Sequence, residues 1–289
     1  MDLQLAWRTL MARSNRTGRL NLSFATALWD QRQLAVRLIR REVAGRYKGS
    51  VLGWGWSLAQ PLLMLAVYTF VFSSVFHSRW GDLNQAGSLG FASNLFAGLI
   101  VFNLFAECAN RGPGLILSNT SYVTKIVFPL EILALVSLGT ALFHAAMSLV
   151  VLVAFELIGG PGGAGLGWNS LWLPVVWLPL LLGCLGLGWL LSALGVYLRD
   201  LTQLVGVSVN MLLFLSAVFY PITALPLRWQ SFVGLNPLVP VIEQTRRVLV
   251  IGHPPDLRLV LTNTLLALVV CELSYRAFQR ARRGFGDVL

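Results

Sequence analysis

Residues 171–198 read LWLPVVWLPLLLGCLGLGWLLSALGVYL, and this stretch decides the class of fold. It carries no charged side chain and lies in a charge-free run of 42 residues, Leu157–Leu198. A second charge-free run, Ile132–Phe155, is 24 residues long. About 20 consecutive apolar residues cross a bilayer as an α-helix, so these runs predict an all-α membrane protein.

The composition of the whole chain supports the same class. Hydrophobic residues make up 56% of the 289 residues and charged residues only 12%, whereas about 25% of the residues of an ordinary soluble domain are charged. This composition excludes a soluble enzyme. It also excludes a nucleic-acid-binding protein, although the net charge is +10, because a membrane protein uses basic residues to set its orientation.

Charged residues and turn-forming residues divide the chain into six predicted membrane-spanning helices. A cytoplasmic N-terminal segment, residues 1–55, precedes the transmembrane domain, residues 56–275, and a basic cytoplasmic tail, residues 276–289, follows it. Small residues along the fourth span predict close packing within the chain; they are Gly183, Gly186, Gly188, Ser192 and Gly195. The predicted spans are residues 56–76, 88–106, 131–155, 171–198, 201–220 and 259–275.

The distribution of lysine and arginine predicts the orientation of the spans. With the N-terminus in the cytoplasm, 17 basic residues lie on the cytoplasmic side and 5 on the outer side. Loops on the cytoplasmic side of a membrane protein carry the excess of basic residues. We therefore expect both termini to be cytoplasmic.

A basic amphipathic helix is predicted within residues 31–50, ahead of the first span. Its apolar residues recur at helical spacing and are Leu34, Leu38, Ile39 and Val43. A helix of this type lies in the membrane interface. Two interpretations stay open, because the periodicity is the same for both: a lipid anchor that fixes orientation, or a docking surface for a cytoplasmic partner.

The sequence reveals no energy source inside the chain. The only lysines, Lys48 and Lys125, are followed by Gly49 and Ile126, so neither fits the phosphate-binding pattern GxxxxGK[ST]. If ATP drives transport, a separate subunit binds it. His144 is the only ionisable residue deep in a predicted span, and we expect it to be a neutral histidine hydrogen-bonded to a neighbouring helix.

Metal-dependent catalysis finds no support in the sequence. The three cysteines lack metal-ligand spacing, and the 12 acidic residues are scattered without a DxxD or ExxE cluster. The chain is therefore predicted to be a transport subunit that binds neither a metal nor a cofactor. A membrane-embedded enzyme of lipid-linked sugar metabolism and a passive scaffold or channel are kept as alternatives.

Three stretches between residues 35 and 250 together resemble one family. Residues 41–56 read REVAGRYKGSVLGWGW, residues 119–129 read NTSYVTKIVFP, and RDL, YP and LNP begin at residues 199, 220 and 235. This pattern is similar to the permease subunits of bacterial ABC transporters of the type-2 exporter class, specifically the polysaccharide exporters.

The resemblance implies a homodimeric channel in the bacterial plasma (inner) membrane, with two copies of a separate ATPase that binds ATP and Mg²⁺. The expected substrates are polysaccharides such as O-antigen, capsule or teichoic acid, often carried on a polyprenyl diphosphate. The same architecture exporting a small amphiphile or drug is the nearest alternative.

Within this resemblance the amphipathic helix and the inner loop after the second span contact the ATPase. The residues expected at this contact are Arg37, Arg40, Arg41, Glu42, Arg46, Tyr47, Lys48, Asn119 and Lys125.

Aromatic side chains are the candidates for a path that a polysaccharide can slide along, because sugar faces stack on aromatic rings. The alternative is that these rings pack against lipid or neighbouring helices. The candidate pathway residues are Tyr68, Phe72, Phe76, Phe102, Phe105 and Phe214.

The outer segment, residues 221–258, is too polar for a seventh span. Pro240 is well placed to open a helix, Val241–Ile251, and we expect short re-entrant or interfacial helices that narrow the outer exit. Arg246 and Arg247 are predicted to lie among lipid headgroups, or else to steer an anionic polymer.

Overall fold

The computed structural model describes residues 23–71, 87–120, 128–159 and 167–288. Over these residues the chain is helical and forms no β-strand. The helices are α1 (Ser23–Asp30), α2 (Arg32–Tyr47), α3 (Trp56–Thr69), α4 (Gly87–Arg111), α5 (Ile132–Gly159), α6 (Leu173–Tyr197), α7 (Leu201–Leu215), α8 (Leu227–Gly234), α9 (Leu238–Leu249), α10 (Leu257–Ala281) and α11 (Phe285–Val288).

Four of these helices are apolar and long enough to cross a membrane: α4, α5, α6 and α10. They confirm the second, third, fourth and sixth predicted spans as helices. Both α4 and α10 continue beyond the first charged residue at which the prediction ended them. The charged residues are paired, which lets the helix continue: Arg276 Nε of α10, for example, donates to Glu272 Oε1 at 2.7 Å.

The first and fifth predicted spans correspond to shorter helices. α3 has 14 residues, and residues 72–76 of that predicted span lie outside the described residues. α7 has 15 residues and ends before the predicted boundary at Tyr220. It ends there because the backbone reverses at Ala217, which has a φ of 53°. The count of six spans therefore stays a prediction.

α6 lies at the centre of the described helices. The indole of Trp189 is fully buried, and its Nε1 donates to the carbonyl of Glu131 at 2.9 Å. On the other side, its ring centroid is 4.9 Å from that of Tyr275 in α10. Gly186 brings α10 close, since a Cβ at this position would lie 3.0 Å from the Cα of Cys271.

The small-residue face of α6 makes two further contacts inside the chain. A Cβ at Gly188 would lie 3.2 Å from that of Ala134 in α5, and a Cβ at Gly195 would lie 2.8 Å from the carbonyl carbon of Pro113. A Cβ at Gly183 would meet nothing within 4 Å. The prediction of close packing within the chain is thus confirmed for Gly186, Gly188 and Gly195.

The outer segment folds into the short helices α8 and α9. α9 begins at Leu238, so Pro240 lies in its first turn rather than before it. Trp177 Nε1 of α6 donates to Thr245 Oγ1 at 3.1 Å and fixes α9 against the span. The predicted apolar face is buried, as expected; its members are Val241, Ile242, Val248 and Leu249.

Candidate functional site

The apolar face of α2 packs against α5 of the same chain. Ala35 is 2% exposed and contacts the same cluster as Ile132 and Val136, with Leu38 and Ile39 packed against it. Gly139 in α5 provides the notch for Ile39, whose Cγ1 lies 2.8 Å from where a Cβ at position 139 would be. Leu38 and Ile39, predicted to face lipid, therefore face protein.

The opposite face of α2 is cationic and exposed. Arg37, Arg40 and Arg41 lie along it, and Lys48 follows the helix at its C-terminal end. A helix that buries its apolar side in protein and presents arginines on the other side has the geometry of a docking surface.

Two ion pairs connect α2 to α4. Arg46 Nη1 donates to Glu107 Oε1 at 2.9 Å, and Arg111 pairs with Glu42. His144 of α5 joins them, with its Nδ1 2.8 Å from Glu107 Oε2. We call Glu42, Arg46, Glu107, Arg111 and His144 the Glu107 cluster. The predicted hydrogen bond from His144 to a neighbouring helix is confirmed.

The Glu107 cluster was missed as a unit, although the sequence contains a signal for it. Both α2 and α4 carry a glutamate followed four residues later by an arginine, and residues four apart share a helix face. The intrahelical pair in α4 is looser, with 3.8 Å between Arg111 Nη1 and Glu107 Oε1. The arginines of each helix instead make the shorter contacts across to the other helix.

A cavity of about 500 Å³ lies beside the cluster, between α2, the end of α4 and the starts of α5 and α7. Arg41, Glu42 and Asn119 line it together, so the structure brings these three predicted ATPase-contact residues to one place. Tyr47 instead packs its ring against Trp54, with centroids 5.9 Å apart. Lys125 lies outside the described residues.

The predicted pathway aromatics are not gathered at one surface of the single chain. Phe214 is 64% exposed and stacks on Phe219 at 5.5 Å. Tyr68 and Phe105 are half-buried. Phe102 is 3% exposed and packs in the core, so its ring presents no surface to a polymer. Phe72 and Phe76 lie outside the described residues.

Arg246 is buried, contrary to the prediction that it lies among headgroups or steers a polymer. Its side chain is 1% exposed and donates to the carbonyls of Asn94 at 3.0 Å, Ala217 at 2.9 Å and Val218 at 2.7 Å. Glu243 Oε1 accepts a further bond at 2.9 Å.

These acceptors are the reason for the burial. The backbone reversal after α7 turns carbonyls inward, and a charged donor with several N–H groups satisfies them. Burial lowers the pKa of Arg246 to about 10, and the Glu243 carboxylate opposes this shift, so the guanidinium stays charged at neutral pH. Gly98 of α4 leaves the space, since a Cβ there would lie 2.7 Å from Nη2. Arg247 remains exposed and donates to Pro254 O at 2.8 Å.

Within the described residues, no three histidine, cysteine or acidic side chains come together as metal ligands. All three cysteines are buried and free of disulfides. The chemistry available at this face is therefore ion pairing and docking.

Comparison with known proteins places this architecture. The family described as ABC-2 type transporter matches residues 33–250. The O-antigen export system permease protein RfbA of Myxococcus xanthus is 25% identical over 90% of this chain and 96% of its own length. The polysialic acid transport protein KpsM of Escherichia coli is 25% identical over 84% and 93%. The capsule polysaccharide export inner-membrane protein CtrC of Neisseria meningitidis is 20% identical over 78% and 82%.

Proposed function

Because the chain belongs to the ABC-2 type transporter family, we propose that it is the permease subunit of an ATP-driven exporter of lipid-linked, O-antigen-like polysaccharide. The observation that carries this proposal is the near full-length similarity to three permeases or transport proteins whose names specify O-antigen, polysialic acid and capsule polysaccharide. The location that goes with it is the plasma (inner) membrane of a bacterium.

The proposed topology has six spans with both termini in the cytoplasm. The four long apolar helices support it, as does the bias of basic residues toward the predicted inner loops. α3 and α7 supply the first and fifth spans, and α8 and α9 form the re-entrant pair at the outer face. Residues 1–55 and 276–289 are then the cytoplasmic parts of the protein.

The proposed assembly is a homodimer with two copies of a separate ATPase, which binds ATP and Mg²⁺ while this chain holds no cofactor. Exposed apolar side chains support a second copy, because monomeric proteins rarely leave large contiguous apolar faces uncovered. On α3 and α7 they are Leu62, Leu63, Met64, Val67, Leu204, Val207, Met211 and Phe214.

The cationic face of α2 supports the ATPase contact. Its apolar side is already covered by α5, which leaves Arg37, Arg40 and Arg41 for a partner. Asn119 lies beside them in the same cavity wall, and the proposal keeps Lys125 of the same loop.

The proposed substrate path runs between the two copies. Phe214 and Tyr68 lie on the helices with exposed faces, so their rings are placed to stack on passing sugars. We keep Phe72, Phe76 and Phe105 in the path and leave Phe102 out, because its ring is buried in the core.

Deletion of the gene in its own bacterium tests the substrate class. We expect surface polysaccharide to disappear while lipid-linked polymer accumulates in the cytoplasm, and a plasmid copy to restore both. Unchanged surface polysaccharide with increased sensitivity to a drug would favour the small-amphiphile exporter instead. Loss of the lipid-linked polymer itself would favour the enzyme.

A further inference from the structure

The Glu107 cluster joins the two elements that the proposed function assigns to the ATPase contact. One is α2, which carries Glu42 and Arg46. The other is the inner loop, which begins directly after Arg111, the last residue of α4. The two elements are more than 60 residues apart in sequence and are held together by cross-helix pairs.

The charges in the cluster are balanced. Glu42 and Glu107 contribute two negative charges and Arg46 and Arg111 two positive charges, while His144 completes the contacts of Glu107. Each arginine binds the glutamate of the other helix. Removing one member therefore leaves an opposite charge without its partner on the facing helix.

α2 is held to its two neighbours by different forces. Its contact with α5 is apolar, with Ile39 in the notch at Gly139, and it shifts as a packed unit. It reaches α4 through charged side chains that are between 19% and 53% exposed. Such pairs re-form easily with new geometry because water screens them.

We propose that the Glu107 cluster is the mechanical link that makes α2, α4 and the inner loop move together when the ATPase moves α2. Glu42, Arg46, Glu107 and Arg111 are then positioning residues for coupling ATP hydrolysis to export. The proposal deepens the proposed function, on which it rests, and assigns these residues to the link rather than to the ATPase surface.

The test uses the permease–ATPase complex in proteoliposomes, with export of lipid-linked polymer and ATP hydrolysis measured on the same preparation. We expect Glu107→Gln and Arg111→Glu to lower the polymer exported per ATP hydrolysed by about fivefold or more, the range of ordinary coupling between sites. The ATPase should still copurify in full amount. The double variant Glu42→Arg with Arg111→Glu rebuilds the pair with reversed polarity and should recover most of the ratio.

Arg276→Gln is the matched control. Arg276 pairs with Glu272 within the single helix α10, so its loss removes an ion pair without separating two elements, and the ratio should stay at the wild-type value. A normal ratio in Arg111→Glu, or a charge swap that recovers nothing, would overturn the proposal. Loss of the ATPase from the complex in these variants would also overturn it, because the residues would then be docking residues.

A distance measurement keeps this test separate from the export function. Spin labels at cysteines introduced at Gly45 in α2 and Leu117 in the inner loop report the spacing of the two elements; both positions are exposed, while the native cysteines are buried. We expect one narrow distance that ATP leaves unchanged, broadening in Arg111→Glu, and recovery in the swap. A complex that passes this test but exports no polysaccharide contradicts the proposed function alone. A broad or ATP-dependent distance in the wild type contradicts the link.

Discussion

Replacing Arg246 by alanine removes the donor that satisfies the backbone reversal after α7. Three carbonyls, those of Asn94, Ala217 and Val218, lose an N–H partner at 2.7–3.0 Å. A buried acceptor left unsatisfied costs about 1–3 kcal/mol, so we expect the free energy of unfolding to fall by about 3 kcal/mol or more. Since folded proteins are stable by only about 5–15 kcal/mol, this is a large fraction of the total.

The neighbouring residue supplies the control. Arg247 has the same side chain on the same helix but is exposed, with a single bond to the carbonyl of Pro254. Arg247→Ala should therefore cost at most about 1 kcal/mol. Both variants keep the charge change identical, so a difference between them reports burial and hydrogen bonding.

Thermal unfolding of the purified chain in detergent measures the effect. One kcal/mol corresponds to about 2–4 °C in the melting temperature of a chain of this order of size, which predicts a fall of about 10 °C for Arg246→Ala and a few degrees at most for Arg247→Ala. Equal melting temperatures for the two variants would refute the reasoning, since it requires the buried arginine to carry the stability.

Two further predictions concern glycines at helix contacts. Gly195→Ala should destabilise the chain by about 1–3 kcal/mol by overpacking, because its Cβ would lie 2.8 Å from a backbone carbon of the turn after α4. Gly183→Ala on the same helix meets nothing within 4 Å and should stabilise by up to about 1 kcal/mol; melting curves of the pair decide, and a destabilised Gly183→Ala with an unaffected Gly195→Ala would contradict the packing. Gly139→Leu should displace Ile39 and undock α2, which exposes a cysteine placed at the buried position of Ala35 to a maleimide reagent. Ile39→Ala in the same chain should restore protection, and a cysteine that stays protected in Gly139→Leu alone would show that α2 does not depend on this notch.

The long helices were predictable because a charge-free run of sufficient length has few other solutions in a bilayer. α4, α5, α6 and α10 all appeared where such runs lie. Their ends were less predictable, since the prediction treated the first charge as a boundary. Glu107 and Arg276 show why this fails: each charge finds a partner and the helix continues past it.

The details of the candidate site depended on contacts between distant parts of the sequence. Periodicity identified the apolar face of α2 but not that α5 covers it. The sequence also cannot distinguish Arg246 from Arg247, because the burial of Arg246 requires Gly98 and carbonyls near residue 217. The repeated spacing of glutamate and arginine in α2 and α4 was the one available signal for the Glu107 cluster.

The most direct test of the central claim is transport by the purified complex. The permease is reconstituted in proteoliposomes with and without its ATPase, and movement of a polyprenyl-diphosphate-linked polysaccharide to the opposite leaflet is followed with a membrane-impermeant lectin. The account predicts movement only when both the ATPase and ATP are present. Movement by the permease alone, or none by the complete complex supplied with ATP, would contradict it.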